Sequence, residues 1–185
     1  MDAFLREYLN EFGGATDSHD VILSELQFSA MKYRKEYYCF RDNIRLVYLG
    51  EKKDYHSLYL APSAEYLDED LLELEYIEPD FTLFNKNACF RNKTGSRIAG
   101  QPLLAVEVWS KSNLKSHRSF KKYLYSTSSI TEHWYIEQDS DLVECYLHKT
   151  QLPSQYLNNP LKTSFGLVLD LTAVCLVNRD LPPIL

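Results

Sequence analysis

Two acids and one lysine sit where a charge needs a physical reason. In LLAVEVWSKS, residues 103–112, Glu107 stands in the middle of an apolar run. Read as a strand, Leu103, Ala105, Glu107 and Trp109 share one face and Leu104, Val106 and Val108 the other. Apolar residues on both faces predict an interior strand. An ionised carboxylate there costs several kcal/mol unless it meets a cation, a metal or a proton. Asp80 opens the run DFTLF, with Phe81 and Leu83 on one face and Asp80, Thr82 and Phe84 on the other. If the two strands pair, both carboxylates can lie on one face and converge on a single hard cation. Magnesium takes such sites, built from one or two carboxylates, carbonyls and waters. Lys121 follows in the next segment, so a plain Glu107–Lys121 ion pair without metal uses the same residues.

The elements that must position these groups are legible in outline. The first residues read as helical, and Ser18 is a candidate cap for a helix running to about Tyr33, with Val21, Ile22, Leu26 and Ala30 near helical spacing. YYCFRDNIRLVYLG reads as one or two strands around an Asp-Asn turn, and HSLYLAP as another short strand. EPDFTLF is a strand, and NKNACFRNKTGSRIAGQP reads as a long basic connection back into the Glu107 strand. LKSHRSFKKYLYST is predicted helical, with Ser112 and Asn113 as candidate caps. Leu114, His117, Lys121, Leu124 and Ser128 form a stripe with Tyr125 beside it, while Lys115, Arg118, Ser119, Lys122 and Ser126 fall on the wetter side. HWYIE and LVECYLH form a hairpin around residues 138–141, and FGLVLDLTAVCLV closes the core as a strand or short helix, with Trp134 and Tyr135 as core residues. The order predicts one α/β (α+β) domain over residues 1–185, with a mixed central sheet flanked by helices.

Bulk properties narrow the function classes. No stretch of eighteen apolar residues exists, which excludes a transmembrane helix and argues against a membrane partner, and the N-terminus lacks the apolar core of a secretory signal. Cys39, Cys89, Cys145 and Cys175 are scattered without a CxxC pair, which predicts reduced thiols in a cytoplasmic protein rather than disulfides or structural zinc. The net charge of −6 is concentrated: residues 65–80 hold eight acids and no Lys or Arg, leaving 18 acids against 20 bases elsewhere. Between Asp80 and Glu107 there is no acid, while Lys86, Arg91, Lys93 and Arg97 are all present as candidate DNA contacts or as a solvated basic loop.

Pro79-Asp80, Val106-Glu107-Val108 and the helix carrying Lys121 together resemble the PD-(D/E)XK nuclease superfamily, with its restriction-endonuclease-like fold. The chain is most similar to a large cyanobacterial branch that pairs a PD strand with a VEVxSxS strand, an inward Lys followed by Tyr, and an E-[YH]-W-x-[IV]-[DE] strand. Here these are EPDFTLF, VEVWSKS, FKKYLY and EHWYIE, and the likeness spans about residues 17–175. Trp109 stands where the superfamily's third motif residue is a lysine, so the lysine role falls to Lys121, as in that branch. His117 replaces a residue often acidic there, and Lys111 a proline.

The resemblance implies a metal-dependent endonuclease that hydrolyses DNA phosphodiester bonds. Asp80, Glu107 and the Val108 carbonyl would hold Mg²⁺, with Mn²⁺ as substitute. Lys121 would orient the attacking water or stabilise the transition state. His117, Tyr125 and His19 are cleft or second-layer candidates, and a homodimer is expected of an enzyme cutting both strands. The alternatives are a non-cutting module of the same fold that binds DNA or a protein partner, and a structural dimerisation domain.

Overall fold

The computed structural model of the chain describes residues 18–41, 45–47, 76–91, 97–110, 113–138 and 140–172. The expected N-terminal helix, the HSLYLAP strand, the Asp-Asn turn, most of the acidic run, Lys93, Ser112 and Cys175 lie outside these residues.

Helix α1 spans Ser18–Ala30 and passes into a 3₁₀ turn, Met31–Tyr33, so the expected helix holds to its expected end. It buries Val21, Ile22 and Leu26 as anticipated, and also Leu23. Strands β1 (Tyr37–Arg41) and β2 (Arg45–Val47) follow but do not pair with each other. β1 runs antiparallel to β4 (Phe81–Arg91), whereas β2 pairs with β3 (Tyr76–Ile77) and, in parallel, with the start of β5 (Arg97–Trp109).

The two long strands correct one expectation. The basic stretch 85–102 is not a connecting loop; apart from residues 92–96 it belongs to β4 and β5, which form an antiparallel ladder. Register shifts between Leu83 and Phe84, and between Phe84 and Cys89, show how the Asn- and Gly-containing sequence stays in the sheet, because a bulge absorbs residues that a regular ladder cannot.

Helix α2 (Lys115–Ser126) crosses from β5 to β6 (Glu132–Glu137), and these two strands pair in parallel. β7 (Leu142–Leu147) returns antiparallel to β6 as the expected hairpin, and β8 (Thr150–Gln151) and β9 (Gln155–Tyr156) both pair with β7. β10 (Leu161–Lys162) and β11 (Val168–Leu169) make a separate two-stranded ladder where the closing segment was expected. The mixed sheet therefore has the main order β1-β4-β5-β6-β7-β8. Among the described residues, no helix is long and apolar enough to cross a membrane.

Each face of the sheet carries its own core. Val21, Ile22, Leu23 and Leu26 of α1 pack with Phe81, Leu83, Leu104, Val106, Val108 and Trp134. On the other face, Tyr125 of α2 packs with Phe84, Ala105, Trp109 and Tyr135. This division reproduces the alternation read from the two strands and puts Glu107 on the α2 face.

Candidate active site

The ladder between β4 and β5 sets Phe81 opposite Val106. One step outward along each strand, Asp80 and Glu107 come to the same end of the sheet and the same face. Asp80 Oδ2 accepts the Val108 N–H at 2.7 Å, which ties the end of β4 to β5. The neighbouring Trp109 carbonyl accepts from the Gln138 N–H on the β6 side at 3.0 Å. Backbone groups alternate along a strand, and one residue's N–H and C=O share a side, so the Val108 carbonyl turns toward Asp80.

Helix α2 supplies the rest. Lys121 Nζ donates to Glu107 Oε2 at 2.6 Å, and the hydroxyl of fully buried Tyr125, one turn on, donates to Oε1. From α1, His19 Nε2 lies 3.4 Å from Asp80 Oδ2. His19, Asp80, Glu107, Val108, Arg118 and Lys121 are among the residues that line a cavity of about 350 Å³. The structure thus brings together Asp80, Glu107, Val108, Lys121, Tyr125 and His19, from α1, the entry to β4, β5 and α2.

Glu107 is only 2% exposed. Burial pushes its pKa up to about 7, with Asp80's charge adding to the rise, while Lys121 and Tyr125 pull the other way. A divalent ion between the carboxylates would relieve both the burial cost and the repulsion. The donor set fits a hard cation: two carboxylates and a backbone carbonyl, all oxygen. Among the described residues, no three His, Cys, Asp or Glu side chains are grouped to hold a metal, so beyond the two carboxylates the third protein donor would be the Val108 carbonyl. The charged lining residues Asp80 and Glu107 balance Arg118 and Lys121, so it is a bound dication that would make the cavity attractive to a phosphate.

The helix face needs correction. Arg118 and Lys122 are not on the wet side. Arg118 Nη1 bonds Glu137 Oε1 at 2.5 Å, its Nη2 bonds the Ser110 carbonyl at 2.5 Å, and its guanidinium lies 4.9 Å over Trp109. Lys122 pairs with Glu144 and sits 5.3, 5.1 and 5.4 Å from the rings of Trp109, Tyr135 and Tyr146. The inward face is Arg118, Lys121, Lys122 and Tyr125, while Leu114 is exposed. Aromatic rings on the sheet attract cations that hydrophobicity alone assigns to solvent. Asn113 does not cap α2 either: its Oδ1 accepts from the Ser110 N–H, and Leu114 is the cap residue, without a side-chain bond.

The remaining candidates are more dispersed. His117 falls on α2, one turn before Lys121. Lys86 Nζ lies 5.0 Å over Tyr38. Arg91 and Arg97 occupy the far ends of β4 and β5, roughly 33–36 Å along the strands from the carboxylates at about 3.3 Å per residue.

Residues 54–173, more than half of the chain, match the Uma2 family, described as "putative restriction endonuclease". Among solved structures, the chain is similar to a "putative nuclease belonging to DUF820" from Anabaena variabilis, at 14% identity and a TM-score of 0.56 over 86% of this chain and 82% of that one. This likeness establishes a shared nuclease-type fold. No curated protein sequence matches the chain.

Proposed function

The chain belongs to the Uma2 family, and on that footing we propose that it is a metal-dependent nuclease hydrolysing phosphodiester bonds of DNA. The observation that carries this reading is the meeting of Asp80, Glu107 and Lys121 at one cavity, with Lys121 Nζ 2.6 Å from Glu107. Asp80, Glu107 and the Val108 carbonyl are the residues that would hold Mg²⁺ or Mn²⁺. When bound, such an ion supplies Lewis-acid chemistry, neutralising charge on the phosphate and acidifying a water.

The protein groups divide the remaining work. Tyr125 fixes one oxygen of Glu107, so the carboxylate is presented in a single orientation. Lys121 spends one of its three N–H donors on Glu107 and is 39% exposed, which leaves donors to orient an attacking water or to meet the charge growing on phosphorus. Trp109 in the cavity lining, stacked 4.4 Å from Tyr135, limits solvent around the reacting groups.

One feature favours a second reading: Lys121 and Tyr125 each bond one oxygen of Glu107, an arrangement that also suits a non-cutting module that holds DNA or a protein partner. The separating experiment incubates wild type and Asp80→Asn with supercoiled, linear and single-stranded DNA in Mg²⁺ or Mn²⁺. Metal-dependent cleavage, reduced at least about a hundredfold in the variant, supports a nuclease. Salt-sensitive DNA retention with no cutting by wild type supports the second reading.

A further inference from the structure

Among the described residues lining the cavity, Arg118 is the one cation not bonded to either candidate metal ligand. We propose that it is a further catalytic residue, a phosphate-binding group that contacts a non-bridging oxygen of the substrate; this rests on the nuclease reading above. It stands three residues before Lys121 on α2, a spacing that puts both side chains on one helix face. Its guanidinium is already fixed by Glu137, by the Ser110 carbonyl and by the face of Trp109, and its side chain is 20% exposed. A prearranged guanidinium loses little freedom when it takes a ligand, which suits it to planar, two-point contact with phosphate.

The donor count agrees. Of five N–H groups, one on Nη1 and one on Nη2 are used, and the Nε–H is buried with no partner among the described residues. One N–H on each terminal nitrogen remains. Both cations are ion-paired, Lys121 to Glu107 and Arg118 to Glu137, but only Lys121 is tied to a candidate metal ligand, so Arg118 can turn its remaining N–H groups to a phosphate without disturbing the metal-binding carboxylates.

The test measures three things in Arg118→Gln, Arg118→Lys and Lys122→Gln. These are affinity for a fluorescein-labelled single-stranded oligonucleotide by anisotropy in Ca²⁺, Mn²⁺ affinity by titration, and KM and kcat in Mg²⁺. Lys122→Gln removes the same charge from the same helix at a side chain outside the cavity lining. Arg118→Gln is expected to lose about tenfold in oligonucleotide affinity, to raise KM and to regain activity with added guanidinium. Arg118→Lys should recover part of the loss. Lys122→Gln should stay within about twofold of wild type, and Mn²⁺ affinity should hold in all three. Equal losses in Arg118→Gln and Lys122→Gln, or loss of Mn²⁺ binding in Arg118→Gln, would assign Arg118 to bracing the structure and overturn the proposal. If wild type binds the oligonucleotide through Arg118 but never cuts it, the nuclease reading fails and the phosphate contact stands.

Discussion

Lys121 and Glu107, fourteen residues apart in sequence, meet at 2.6 Å where α2 lies over β5. The contact joins a half-exposed ammonium to a carboxylate with almost no solvent access, so most of the desolvation cost falls on Glu107.

Replacing Lys121 with methionine leaves that carboxylate without its cation. We expect a loss of about 1–2 kcal/mol at pH 8, modest because the lysine is partly solvated. Glu107's folded pKa, already raised, rises further in the variant. A raised carboxylate contributes stability below its unfolded pKa and loses it as pH rises through the folded value. The penalty should therefore shrink at pH 6, and urea melts at the two pH values measure the difference. An equal penalty at both would mean that Glu107 does not titrate in this range.

Tyr125→Phe removes one donor while keeping the packed ring. Stability should fall by about 1 kcal/mol, and Mn²⁺ affinity by about tenfold as Glu107 loses its fixed orientation. Calorimetric titration checks this; unchanged affinity would reduce Tyr125 to a packing residue.

Part of this site was readable because side chains alternate along a strand: Asp80 and Glu107 could share a face if β4 and β5 paired, and the register that sets Phe81 opposite Val106 makes them do so. The placement of Lys121 was readable from helical spacing. The inward placement of Arg118 and Lys122 is invisible to a helical hydrophobicity pattern, because the rings of Trp109, Tyr135 and Tyr146 that draw these cations inward come from other strands. The i to i+3 spacing of Arg118 and Lys121 was the available signal. The extension of the strands over residues 85–91 and 97–102 was hidden by Asn and Gly, which usually mark loops but here accompany bulges.

Glu132 is a second buried carboxylate with a different task. It accepts from Trp134 Nε1 at 2.5 Å and from the Ser164 N–H and Oγ at 2.7 and 2.6 Å, tying the β10–β11 connection to the core. Glu132→Ala strands those donors and should cost about 2–4 kcal/mol. Nuclease activity measured well below the melting transition should survive; a site-specific loss of activity would contradict the purely structural role.

His133 sets an acid limit. Burial lowers its pKa to about 4, and its Nε2 bonds the His148 carbonyl. The unfolded chain takes up a proton near pH 6.5 and the folded chain only near 4, so the folded state is favoured fully above 6.5 and loses about 3 kcal/mol as pH falls across that window. Glu107 acts oppositely between about 4.5 and 7, which masks the effect in wild type alone. Comparing wild type with His133→Gln isolates it: the variant should be relatively more resistant at pH 4.5 than at 7.5. Parallel pH profiles would show that His133 is protonated in the fold.

The most direct measurement is Mn²⁺ binding by calorimetry or electron spin resonance in wild type, Asp80→Asn and Glu107→Gln. We predict one site in wild type, weakened at least about tenfold in each variant, while both variants stay folded. Equal Mn²⁺ binding by all three proteins, or none by wild type, would contradict a shared metal site between these carboxylates.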